Sequence, residues 1–246
     1  MKTYIINLQK DLERRKHMIE ICDKHHILDY EFIKAVYGKD LSQEEIDFSF
    51  DLNLAYKRFG RNLNLGEIGC TLSHYKCYRQ LIETNEPCVL ILEDDITILR
   101  ELSILPKLFE VCNTSTPTIL FLSGDYWWYR KRIKDNVCIA SIYDAVGSYA
   151  YIINKAAAKL ILSKNPKASC TADNWSLYRR QGVSCKAAYP YIIDANIEEF
   201  ESSIHQSTFG EKRKNMPWSM RIPAYWLALI KKLLVKTGHF VSKIRK

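Results

Sequence analysis

Cys88-Val89-Leu90-Ile91-Leu92-Glu93-Asp94-Asp95-Ile96 decides the fold, because five apolar residues in a row are followed at once by three carboxylates. A strand with one face in water alternates apolar and polar residues. An unbroken apolar run predicts instead a strand covered on both faces, as in a mostly parallel sheet flanked by helices. In open α/β sheets ligands bind beyond the carboxyl ends of the strands, and the three acids stand at that end. Adjacent carboxylates repel one another at neutral pH, a cost that a hard divalent cation relieves. Asp after a strand also suits a turn or a helix cap, so cation site and turn are both open readings of this stretch alone.

Working outward, Tyr4 to Leu8 reads as a buried first strand and Asp11 to His26 as a surface helix, with Leu12, Met18, Ile19 and Cys22 set among charges. Tyr30 to Val36 predicts a second strand, and Gly38 to Gly60, polar and aromatic without a clear period, an irregular surface excursion. Gly66 to Leu81 regains helical spacing, with Asn64 or Gly66 near its start. Beyond the acids, Leu102 to Cys112 reads as a helix, Thr118 to Ser123 as a central strand, Gly124 to Asp135 as a loop, and Asn136 to Ile142 and Ser148 to Ile153 as strands. Asn154 is an N-cap for a helix Lys155 to Ser163, Thr171 or Asp173 starts another through Arg180, and Ser184 to Ile193 is extended. The alternation predicts one α/β domain, residues 1–210, followed by a basic amphipathic tail, residues 211–246.

Charge supports that division. The formal charge is +8, yet from Glu211 onward ten Lys and Arg face one acid, a local +9 that leaves −1 for the first 210 residues. A nearly neutral body argues against nucleic acid as a partner. The eight cysteines are scattered among apolar positions without C-x-x-C or the Cys/His spacing of a structural zinc site, and read as reduced core residues. The first residues enter a short strand without the apolar region of a signal peptide, so the expected location is cytoplasmic. In the tail, Ile222 to Ile230 is too short to span a bilayer. Its mixture of Trp, Tyr, Leu and Lys suits an anionic membrane surface, with a helix packed on the domain as the other reading.

Three blocks, Tyr4-Ile5-Ile6-Asn7-Leu8 with Arg14-Arg15, Gly66-Glu67-Ile68-Gly69-Cys70-Thr71-Leu72-Ser73-His74, and Leu92-Glu93-Asp94-Asp95, resemble glycosyltransferase family 25 in order and spacing. That family includes bacterial lipooligosaccharide galactosyltransferases and the related collagen galactosyltransferases. A weaker similarity runs through Tyr151 to Ala157 and Ala172-Asp173-Asn174-Trp175 to about Ile204. The resemblance implies a GT-A type nucleotide-sugar-binding fold, a UDP-sugar donor that is usually UDP-galactose, a divalent metal often taken to be manganese, and inversion at the anomeric carbon. It places Glu93 and Asp95 in the two acidic positions of a D-x-D-like motif, with Asp95 favoured as the direct metal ligand. Asp94, Asn7 and Arg14 are then donor-binding residues. Glu67, Ser73 and His74, near one end of their helix, are placed to reach the nucleotide or sugar.

Inversion in one displacement needs a base for the acceptor hydroxyl. Asp173 is the candidate within the Ala172 to Trp175 block, with Trp175 beside it to stack on an acceptor sugar; a helix cap and a core indole are the plain alternatives. Asp125 is the rival, since it too follows a central strand, with Gly124 allowing close backbone approach. His205 is either a third metal ligand or a polar loop residue. The expected activity is hexosyl transfer, galactosyl for preference, to a lipooligosaccharide or lipopolysaccharide core by an enzyme peripheral to the inner face of the cytoplasmic membrane. A metal-dependent nucleotide phosphohydrolase and an inactive saccharide-binding protein are the alternatives.

Overall fold

The computed structural model describes residues 1–134, 137–196 and 216–241. His205 and the boundary expected at residue 210 lie outside the described residues. In chain order the elements are β1 (Thr3–Asn7), α1 (Leu12–Lys24), β2 (Tyr30–Lys34), α2 (Gln43–Ser49), α3 (Leu52–Phe59), α4 (Leu65–Glu83), β3 (Cys88–Glu93) and β4 (Ile96–Ile98). There follow α5 (Leu105–Cys112), β5 (Thr118–Phe121), β6 (Asp125–Lys134), β7 (Val137–Val146), β8 (Ala150–Asn154), α6 (Lys155–Lys164), α7 (Trp175–Arg180), β9 (Ser184–Tyr189), β10 (Ile193–Ala195), α8 (Trp218–Lys236) and β11 (Phe240–Val241).

Nine strands form one sheet in the order β11-β6-β7-β9-β5-β8-β3-β1-β2. β1, β2, β3, β5, β6 and β9 run one way, and β7, β8 and β11 run the other, so the sheet is mostly parallel in direction. The apolar run of β3 divides between two cores. Val89 and Ile91 pack with α4 and α6 on one face, while Cys88, Leu90 and Leu92 pack with α1 and α5 on the other. Alternate side chains point to opposite faces, so a strand between two helical layers must be apolar at every position. All five of these residues are fully buried.

Two stretches depart from the sequence reading. Gly38 to Gly60 is not irregular: it holds α2, with a capping box between Ser42 and Glu45, and α3, capped by Asp51 and ended by Gly60 in the left-handed region at φ 68°. Each helix has only two turns, too few to show a hydrophobic period, although the Ser-x-x-Glu start signal is present. Residues 124–135 were expected as a loop, yet Asp125 to Lys134 is strand β6. It pairs with β7 on one side and β11 on the other. Its backbone hydrogen bonds come from the next strand, β7, in a hairpin and from β11 more than a hundred residues on, and a local reading of charges and aromatics does not reveal that pairing.

The described part of the tail lies on this edge of the sheet. Lys231 Nζ is 2.8 Å from Asp144 Oδ2 on β7 and 3.4 Å above the centre of the Trp127 ring. Phe240 of β11 stacks on the same Trp127 ring, with ring centres 4.7 Å apart. The outer face of α8, including Trp218, Tyr225, Trp226 and Leu233, stays exposed. No described helix is long and apolar enough to cross a membrane.

Candidate functional site

The parallel register of β1 and β3 sets Ile6 beside Glu93. Asn7 and Asp94 are therefore neighbours just past the strand ends, where Asn7 Nδ2 donates to Asp94 Oδ2 at 2.8 Å. The chain turns into α1 through its N-cap Asp11, which brings Arg14 back over the acids. Arg14 Nη1 lies 2.9 Å from Asp94 Oδ1 and 3.2 Å from Asp95 Oδ2. Both oxygens of Asp94 are thus engaged, whereas Asp95 Oδ1 is buried without a hydrogen-bond partner.

Glu93 belongs to the opposite face. His74, buried on α4, places Nε2 3.3 Å from Glu93 Oε1, and Ser148 Oγ donates to the same oxygen at 2.5 Å. The other ring nitrogen, His74 Nδ1, is 2.6 Å from the Tyr151 hydroxyl, itself 2.9 Å from that of Tyr78. Burial pushes Asp95 up to about 7, reinforced by the charge of Glu93 and only partly opposed by Arg14. Burial raises Asp94 as well, against the hydrogen bonds of Arg14 and Asn7. For Glu93, burial is outweighed by its bonds to His74 and Ser148, so its carboxyl lies below the usual range. One carboxylate is held ionised and its neighbour is left short of positive charge.

These groups open on a cavity of about 530 Å³, with Arg14, His74, Glu93, Asp94 and Asp95 at one end and Val36, Tyr37, Leu63 and Leu65 along the wall. The wall depends on two glycines. A Cβ on Gly69 of α4 would lie 2.6 Å from the Val36 carbonyl oxygen, and one on Gly38 would overlap the Leu65 carbonyl at 1.7 Å.

The expected site residues divide. Arg14, His74, Glu93, Asp94 and Asp95 meet at the cavity, and Asn7 stands behind them as the support of Asp94. Glu67 does not reach the cavity: its carboxylate closes a capping box with Asn64 and pairs with Arg61 Nη2 at 2.6 Å, so it secures the start of α4. Ser73 lines the cavity, but its hydroxyl is occupied, accepting from the Val36 N–H at 2.8 Å and donating to the Gly69 carbonyl at 2.7 Å.

Trp175 is 1% exposed, packs against Phe121 and Tyr151, and donates its indole N–H to the Gly147 carbonyl. It has no free face for an acceptor sugar, and the stacking role expected of it is withdrawn. Asn174, not Asp173, caps α7. Asp173 Oδ2 accepts the Gly147 N–H at 3.2 Å, and its pKa is raised by burial and by the nearby Glu93 charge. Asp125 begins β6, and its charge acts on Tyr191.

Two contributors were not anticipated, Ser148 and the Cys70 thiol on the cavity wall. Ser148 carries no motif, since only the antiparallel pairing of β8 with β3 brings it to Glu93. The sequence pattern sets Cys70 with the other cysteines in the core; all eight are free, but Cys70 and Cys138 are only half-buried.

The oxygen donors of Glu93 and Asp95, one of them a buried atom without a partner, fit a hard divalent cation. Residues 1–139 match the model of glycosyltransferase family 25 (LPS biosynthesis protein), and the chain belongs to that family. A glycosyltransferase 25 family member of Aedes aegypti is 41% identical over 96 residues, 38% of this chain and 16% of that protein. Procollagen galactosyltransferase 1-A of Xenopus laevis is 35% identical over 98 residues, 39% of this chain and 16% of the other. The matched stretch thus spans about a sixth of these curated relatives. Among solved structures, galactosyltransferase LgtC with donor and acceptor sugar analogs aligns over 75% of this chain and 73% of its own at 12% identity, with a TM-score of 0.39, too loose a likeness to build on.

Proposed function

We propose that this chain transfers a hexose, galactose for preference, with inversion from a UDP-sugar to a lipooligosaccharide or lipopolysaccharide core acceptor. The observation that carries the reading is the under-compensated carboxylate group at the end of β3, opening on a cavity with apolar walls for a base and ribose. Family membership supports the transferase class, and the galactosyl preference rests on relatives bearing that name.

Glu93 and Asp95 would hold a divalent cation, with manganese the expected one. When bound, such an ion neutralises the diphosphate charge that grows as the sugar departs. The chain's own residues prepare the site. Arg14 orients Asp94 and Asp95, while His74 and Ser148 hold Glu93 ionised and in place. Asp173, close enough for its charge to couple to Glu93, accepts the proton of the acceptor hydroxyl. Its raised pKa strengthens it as a base. Asp125 remains the alternative base.

The test is product analysis with a panel of UDP-sugars and core oligosaccharide, with manganese or chelator. The expected result is a hexosylated product that chelator abolishes and that Asp95→Ala reduces at least ~100-fold. Full activity of Asp95→Ala in chelator would remove the metal mechanism, and rapid UDP-sugar hydrolysis without acceptor would favour a phosphohydrolase.

The exposed aromatic and aliphatic face of α8, flanked by Lys232 and Lys236, suits the anionic inner leaflet where a glycolipid acceptor would lie. We expect the full chain to sediment with vesicles containing anionic lipid and a chain ending at Met216 to remain in the supernatant. Equal partitioning of the two would exclude this role for the helix.

A further inference from the structure

The cavity holds one group that carboxylate chemistry does not use. Cys70 and His74 are four residues apart on α4, so their side chains leave the same face of the helix. Glu93 meets them from β3. One ligand atom from each of the three lies within 4.8 Å of the others, and this is the one such group of three found among the described residues.

We propose that Cys70, His74 and Glu93 form a binding site for a borderline-soft divalent cation of the zinc class, distinct from the hard-cation pair but sharing Glu93 with it. Two light ligands at about 2.0–2.1 Å from a tetrahedral metal are about 3.3–3.4 Å apart. His74 Nε2 and Glu93 Oε1 already stand at 3.3 Å. His74 needs no reorientation, because Tyr151 occupies Nδ1 and leaves Nε2 directed at Glu93. A hydrogen-bonded second nitrogen is how ligating imidazoles are usually held. The buried Tyr78–Tyr151 hydroxyl pair anchors that arrangement from beneath.

The donor set selects the ion. A sulfur, an imidazole nitrogen and one carboxylate favour zinc, whereas manganese and magnesium prefer oxygen throughout. Cys70 is half-buried and lines the cavity, so a fourth position faces the open space, where water or an anionic ligand completes the tetrahedron. On binding, the thiol forms a sulfur–metal bond and releases its proton to solvent. Binding itself does not depend on the transferase reading. One consequence rests on it: zinc at this site draws Glu93 from the diphosphate-holding pair and so opposes sugar transfer.

The probe is cobalt, which takes zinc geometries and reports sulfur ligation by absorbance. The full, reduced, metal-free chain is titrated with Co2+, and a thiolate-to-cobalt charge-transfer band should grow to one ion per chain and disappear when Zn2+ is added. Cys70→Ser should abolish the band and weaken Zn2+ in chelator competition by more than the ~10–100-fold typical of an outer-shell change. Cys138→Ser, altering the other half-buried thiol, should leave both unchanged. His74 is tied into a buried hydrogen-bonded chain, so Glu93→Gln is the safer second variant; it should keep the band and bind Zn2+ more weakly. Circular dichroism of each variant confirms the fold. Absence of the band in the folded wild-type chain, or its survival in Cys70→Ser, overturns the proposal. Zinc binding by a chain that turns over no UDP-sugar supports the site and separates its standing from that of the transferase reading.

Discussion

Two regions of the sheet carry buried acid, and they treat it differently. At the β6–β7 edge, Asp144 meets one partner, Lys231, at 2.8 Å, and the Trp127 ring covers the ammonium from the other side. Charge there is balanced one to one and the pair serves as a clasp for α8. At the end of β3, Asp94 and Asp95 share the guanidinium of Arg14 with Glu93 close by, and burial with mutual repulsion lifts Asp95 to about 7. A fold that needed only a clasp would not retain the excess negative charge. That excess is the ground on which the cation site is proposed at the β3 end, while the opposite edge is a paired contact that holds α8.

The contrast can be broken most forcefully by removing Arg14. Arg14→Ala would strand Asp94 and Asp95 in a buried setting, and urea denaturation should show a loss of about 3 kcal/mol. A loss under about 1 kcal/mol would mean that solvent already screens these acids.

The second test removes part of the excess. The Asp95 carboxyl has a folded pKa raised from 3.8 to about 7, so between those values the folded chain binds more protons than the unfolded one. Stability therefore falls as pH rises through that window, and the full cost is present above pH 7. In chelator-treated protein, Asp95→Asn should raise stability by about 2 kcal/mol at pH 8 and by little at pH 4. Equal melting shifts at the two pH values would show that the carboxylate carries no such cost. The smallest effect belongs to the balanced edge. Lys231→Ala should cost about 1 kcal/mol in the same urea experiment and leave sugar transfer unchanged. A loss as large as that of Arg14→Ala would erase the distinction between the two regions.

The legible parts share a physical basis in short-range pattern. The apolar run of β3 suits a strand covered on both faces, and the three acids after it read equally as a ligand-binding edge or a turn. Asn154, and Asn64 as one of two candidates, marked their helix starts because capping is a contact within three residues, whereas Asp11, the cap of α1, reads in the sequence as the first residue of that helix. Asp173 and Trp175 show where such reading stops. Both lie in one short block, yet Asp173 answers to the Gly147 backbone while Trp175 is sealed between Phe121 and Tyr151. Ser148 was invisible because nothing local marks it.

By itself, then, the sequence determined that this is an α/β chain with an acidic strand end and a basic, amphipathic tail, since composition and periodicity are properties of neighbouring residues. Only the tertiary structure decided how the acids divide. Asp94 is tied by Asn7 and Arg14, Glu93 is held by His74 and Ser148, and Asp95 keeps a buried oxygen without a partner. Whether a buried carboxylate is satisfied depends on strands and helices as many as 87 residues away in the chain. Their approach is set by sheet register and helix packing, which no local pattern encodes.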